Sequence, residues 1–164
     1  MKIIVGFSRS SSPLSAVIRC LTGSKVSHVY VREVDPRFQE DLIVQASGLT
    51  VNVESISHFL SHTSVVEEFA IDVDIAKWLT GENFKRSSLG KPYGWLQLAG
   101  YGYTLVCKRF GWKVRNPLAD GDHSYVCVEW VAKYLGMDQT EVMTPEDLLE
   151  ILVALQSRSG CLVR

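Results

Sequence analysis

Cysteine is scarce and scattered. Cys20, Cys107, Cys127 and Cys161 stand far apart with no C-x-x-C pair, a pattern that suggests neither a zinc site nor a disulfide framework. A reducing compartment is the simpler expectation, and no cofactor or metal is called for. Basic charge is not in excess either. With 17 Lys and Arg against 18 Asp and Glu, the net charge of −1 provides no broad positive field, so nucleic acid is not an expected partner. No run approaches the ~18 apolar residues of a membrane span. The start of the chain, Met1 to Phe7, has one basic side chain and too short an apolar run for a signal peptide. Synthesis in the cytoplasm is therefore expected. Internal repeats and long linkers are also missing.

What remains is an ordinary globular composition, 46% hydrophobic and 21% charged over 164 residues, which predicts one domain spanning residues 1–164. Residues 2–7 read as a strand, and Ser12 followed by Pro13 opens a helix carrying Leu14, Val17, Ile18 and Leu21 at helical intervals. Val26 to Val34 alternates as a strand ended by Asp35-Pro36. Residues 42–47 and 50–54 flank Gly48-Leu49 as a tight hairpin whose second arm is placed at a sheet edge. A short helical turn over 55–61, a strand over 65–73 and a helix capped by Asp74 follow. The aromatic stretch containing Tyr93, Trp95, Tyr101, Tyr103, Phe110 and Trp112, interrupted by Gly100 and Gly102, is read as core packing. Thr144-Pro145-Glu146-Asp147 marks a last helix start, with Leu148, Leu149, Ile151, Leu152 and Leu155 as its buried face. This order predicts an α+β domain in which antiparallel strands pack against helices.

Chemistry centres on Cys127. Val128, Val131, Ala132 and Leu135 fall at helical spacing and Gly136 supplies a stop, so Cys127 lies in the first turn of a helix with Asp122 or Ser124 as the cap. Unpaired N–H groups and the positive helix end stabilise a thiolate there. The same position also suits a small buried hydrophobe, the usual role of an unpaired cysteine. A nucleophile needs a base, and the base an orienting group. His28 on one strand and Gln45 on the next are the candidates. His123, four residues before Cys127, is a rival base. His58 and His62 have metal-ligand spacing, but Phe59 stands where H-E-x-x-H requires glutamate, so they are read as surface or capping residues. Cys20, Cys107 and Cys161 are read as inert.

Taken in order, Ser27-His28-Val29, Gln45-Ala46, Gly90-Lys91-Pro92-Tyr93, Cys127-Val128-Glu129 and Thr144-Pro145-Glu146-Asp147-Leu148 resemble the circularly permuted papain-fold group within the NlpC-like cysteine hydrolases, over roughly residues 3–152. The resemblance implies a papain-like fold with Cys127 as nucleophile, His28 as general base and later acid, and Gln45 orienting His28. It also implies that the Cys127 backbone N–H serves the oxyanion. Many relatives carry glutamate at the position of Gln45. The resemblance further implies a thioester intermediate and, as substrate, peptidoglycan stem peptides or another amide. With no leader, such a hydrolase would reach the wall by lysis, a secretion machine or a phage particle, with phage tail or virion proteins as partners. Two other classes fit the same residues: a non-catalytic structural or binding module of a phage particle, and a lipid or ester acyl hydrolase or transferase.

Overall fold

A computed structural model of the chain describes residues 2–34, 40–112, 114–119, 121–137 and 144–159. Asp35, Pro36 and Cys161 lie outside these.

Strands β1 (Lys2–Ser10), β2 (His28–Glu33), β3 (Leu42–Ser47), β4 (Thr50–Ser55) and β5 (Thr63–Asp72) form one antiparallel sheet in the order β4-β3-β2-β1-β5. Helices α1 (Pro13–Thr22), α2 (Ile56–His62), α3 (Ile75–Ser88), α4 (Trp95–Arg109), α5 (Cys127–Tyr134) and α6 (Pro145–Ser159) complete an α+β fold. The β3–β4 hairpin closes at Ser47–Thr50. Its two-residue loop holds Gly48 at φ 64°, a conformation that costs glycine little. The second arm, β4, is the edge strand, as its position in the hairpin predicts.

Local capping follows the sequence closely. Ser12 Oγ accepts from the Ser15 N–H at 3.1 Å and Asp74 Oδ1 from the Lys77 N–H at 2.8 Å. Thr144 and Asp147 cap reciprocally, Asp147 N–H to Thr144 Oγ1 at 3.2 Å and Thr144 N–H to Asp147 Oδ2 at 2.7 Å. Each bond satisfies an N–H that the first helical turn leaves without a partner.

Packing puts α5 at the centre. It lies against β2, β3, α3 and α6, and Cys127 to Ala132 and Tyr134 are all buried, so the helix is enclosed on more than the single face its apolar spacing indicates. Trp130 is fully buried, stacks on Tyr134 with centroids 5.5 Å apart, and donates its indole N–H to Ser88 Oγ at 2.8 Å. The other sheet face is covered by α2, where Tyr30 and Ile43 pack with Phe59.

Three expectations are corrected. Gly100 and Gly102 do not interrupt the aromatic stretch, which continues as α4. Gly100 is a packing glycine, since a Cβ there would lie 1.8 Å from Asn116 Oδ1. The aromatics are also not chiefly core: Trp95, Tyr103, Phe110 and Trp112 are exposed. Leu14, Val17 and Leu21 on α1 are exposed too, as is Leu155 on α6, whereas Leu148 and Leu152 are buried. Helix periodicity identifies an apolar face but not what covers it.

Trp130→Ala should destabilise the fold by about 3–5 kcal/mol, because the hole left at a fully buried site is lined on all sides. Urea midpoints for the two proteins measure this.

Candidate active site

The position of Cys127 follows from the Gly90-Lys91-Pro92-Tyr93 segment. This segment pairs with the outer edge of β4: the Val51 N–H donates to Lys91 O and the Gly90 N–H to Val51 O, both at 2.9 Å, and the Tyr93 N–H donates to Leu49 O at 2.8 Å. It then pairs with the residue two places before Cys127, through the Tyr125 N–H to Pro92 O at 3.1 Å and the Gly94 N–H to Tyr125 O at 2.9 Å. One extended segment thus protects a sheet edge and ties the start of α5 to it.

The cap of α5 is Val126, with no side-chain cap bond; neither Asp122 nor Ser124 fills that role. Glu129, in the first turn, has its Oε1 3.1 Å from Lys133 Nζ, while its buried Oε2 has no partner. The free N–H groups of the first turn are left for the sulfur. The backbone N–H groups of Cys127, Val128 and Val29 and the Tyr93 hydroxyl surround Cys127 Sγ and favour its thiolate. Val29 is available because the β2–β3 ladder ends at Val31–Val44. Despite these donors, burial pushes the Cys127 thiol up, opposite to the lowering expected from helix position. Cys127 is 5% exposed, and desolvation outweighs the helix end.

His28 and Gln45 meet as predicted, with His28 Nε2 and Gln45 Oε1 2.5 Å apart. Gln45 Nε2 in turn donates to Glu54 Oε1. A carboxylate only accepts, so Glu54 fixes which end of the amide faces it. The Gln45 carbonyl must then face His28, and His28 carries its proton on Nε2. Nδ1 is left as the basic atom. Burial holds His28 down at about 4, against opposing contributions from the Gln45 bond and the Glu54 charge. At neutral pH both imidazole and thiol are uncharged. The imidazole is not among the hydrogen-bond partners of the sulfur.

Two hollows meet here, sharing Leu14, Ile18, Ser27, Tyr93 and Trp95. The larger, about 380 Å³, runs between α1 and α4 along Leu14, Val17, Leu21, Leu98 and Leu105 and reaches Cys127. The smaller, about 140 Å³, contains His28, Gln45 and His62 among the serines Ser8, Ser10, Ser12, Ser15, Ser27 and Ser47. The buried Ser8 hydroxyl has no partner and is free to bond a ligand there.

The rival positions fall elsewhere. His123 is exposed in the loop before α5. Cys20 is exposed and Cys107 buried, both free. Sequence reasoning missed Glu54, Ser8 and the role of Tyr93. Only Tyr93 left a signal, as the end of the Gly-x-Pro-Tyr motif. His58 and His62 do gain a carboxylate, but from Glu54 before them rather than from the residue after His58. Among the described residues these three are the set whose donor atoms lie within 4.8 Å of one another.

A depressed histidine pKa makes the fold sensitive to acid. His28 binds a proton at about 6.5 unfolded but only near 4 folded, so its stability contribution is complete above 6.5 and is lost as pH falls toward 4. The loss is on the order of 3 kcal/mol. Unfolding free energies measured across that window should fall less steeply for His28→Gln than for the wild type, and an equal slope would refute the assignment.

No known sequence family and no curated protein matches the chain. Among solved structures it is similar to the metalloprotein yiiX from Escherichia coli O157:H7, described as DUF1105. The TM-score is 0.52 and the identity 17%, with 97% of this chain and 81% of that one covered. At that identity the likeness is one of fold.

Proposed function

We propose that this protein is a cysteine-dependent acyl hydrolase of the permuted NlpC-like papain-fold kind, with Cys127 as nucleophile, His28 as base and Gln45 as its orienting partner. The observation that carries the reading is the convergence of N–H and hydroxyl groups on a helix-tip sulfur, with an imidazole in the adjoining hollow whose tautomer is fixed by its neighbours.

The reaction starts from a neutral pair. As substrate fills the hollows, ring and sulfur close on one another; catalytic hydrogen bonds commonly tighten on binding. The thiol proton passes to His28 Nδ1 while the Sγ–C bond forms. The Cys127 and Val128 N–H groups and the Tyr93 hydroxyl then serve the oxyanion. Collapse breaks the C–O or C–N bond, with His28 returning the proton to the leaving group. Water, deprotonated by the same nitrogen, hydrolyses the thioester and restores the thiol.

The two hollows favour an amphiphilic substrate. An apolar acyl chain suits the α1–α4 groove, and a polar head suits the serine-lined hollow. Esters or amides of such acyl groups therefore fit the site better than peptidoglycan stem peptides, whose carboxylates and amides would meet carbon along the groove. A second reading, a structural or binding module of a phage particle, draws on the raised thiol pKa and the unjoined imidazole.

Incubation with medium-chain acyl esters and with purified peptidoglycan, followed by intact-protein mass spectrometry, separates these readings. An acyl adduct on Cys127 that is absent from Cys127→Ala supports the proposal, and His28→Ala should slow turnover by about 10² to 10⁴. Released stem peptides without an acyl adduct would transfer the substrate to peptidoglycan. No turnover of either by folded protein would leave the structural module.

A further inference from the structure

His58 and His62 share one face of α2 four residues apart, and Glu54, near the end of β4, lies beside them. We propose that they form a site for a divalent transition-metal ion, bound by Glu54 Oε2, His58 Nδ1 and His62 Nε2. Their ligand atoms already lie within 4.8 Å of one another, and the His58 and His62 ring centroids are 5.2 Å apart. Two imidazoles and a carboxylate are a zinc-type donor set that leaves a coordination position open, and imidazole disfavours calcium or magnesium.

Two of the three ligands are already oriented by outer bonds. The His62 Nδ1–H donates to His58 O at 2.9 Å, which leaves Nε2 as the unprotonated nitrogen. Gln45 holds Glu54 by Oε1, which leaves Oε2 for the ion. Such outer partners fix tautomer and ring direction at metal sites generally. The third ligand, His58, shares a proton with Glu54 Oε2; the ion replaces that proton. The His58 side chain is 71% exposed, so it can swing inward to the shorter spacing a bound ion requires.

The site also communicates with His28. Glu54 is at once a ligand and the group that fixes Gln45, and Gln45 bonds His28. An ion on Oε2 draws carboxylate charge away from this relay. His62 also lines the small hollow together with His28 and Gln45.

The test uses full-length Cys127→Ala protein, which removes both the thiol as a ligand and any dependence on turnover. Calorimetry with zinc chloride should give one ion per chain, and cobalt should give a tetrahedral visible spectrum. Because His58 and His62 are exposed, His58→Ala and His62→Ala should keep the fold, checked by circular dichroism, while each weakens binding by at least about tenfold. Zinc should also shift the His28 ring resonances. Absence of binding at millimolar zinc, or unchanged affinity in the double His58→Ala/His62→Ala variant, overturns the site. Binding that leaves the His28 ring unmoved overturns the coupling.

Discussion

The acceptor-only chemistry of one carboxylate governs this site. Glu54 sits on β4, two strands from His28, and touches neither the imidazole nor the sulfur by a hydrogen bond. Yet because it cannot donate, it dictates the orientation of the Gln45 amide, and that amide dictates the tautomer of His28. A lone glutamine could face the ring with either end. The direction of the relay is therefore a property of three adjacent strands in register. The Glu54 charge reaches this relay from one strand further out than Gln45, and its field raises the His28 pKa against the larger lowering by burial.

Burial sets the second constraint. Enclosing α5 on most of its surface brings Cys127 to the sheet and fixes the helix tip rigidly, but the same enclosure removes water from the sulfur. The nearby N–H groups, the Tyr93 hydroxyl and the helix end then act against desolvation and lose. The imidazole is pushed the same way, toward its uncharged form. Both groups are thus held neutral by one cause, so the proposed reaction requires proton transfer during attack rather than a preformed ion pair.

Much of this was legible in the chain. Ser12-Pro13, Asp74 and Thr144-Pro145 mark helix starts because capping is decided within a few residues. The Gly48-Leu49 hairpin and the pairing of His28 with Gln45 could be read because adjacent antiparallel strands bring predictable neighbours together. Glu54 was not legible, since its role depends on the register of a third strand and on amide polarity. Nor was the exposure of Leu14, Val17 and Leu21: a helical period shows a continuous apolar face but not whether a neighbour closes over it. The thiol shift failed for a related reason. Helix position is local, whereas desolvation sums over everything packed around α5.

The unclosed face of α1 connects these points. Packing α1 fully against α4 would bury Leu14, Val17 and Leu21 and gain stability at roughly 25 cal/mol per Å², yet the two helices meet only in part and leave a groove of about 380 Å³ that reaches the sulfur. A fold that encloses α5 so thoroughly leaves this one apolar surface open beside its only described cysteine at a helix tip. Apolar surface kept open in that way has a thermodynamic cost, and the cost is offset when a ligand covers the groove. The serine-lined hollow adjoining it at Ser27, Tyr93 and Trp95 is more polar. A molecule spanning both must change from apolar to polar within a few bonds of the sulfur, which is where an acyl carbonyl changes character.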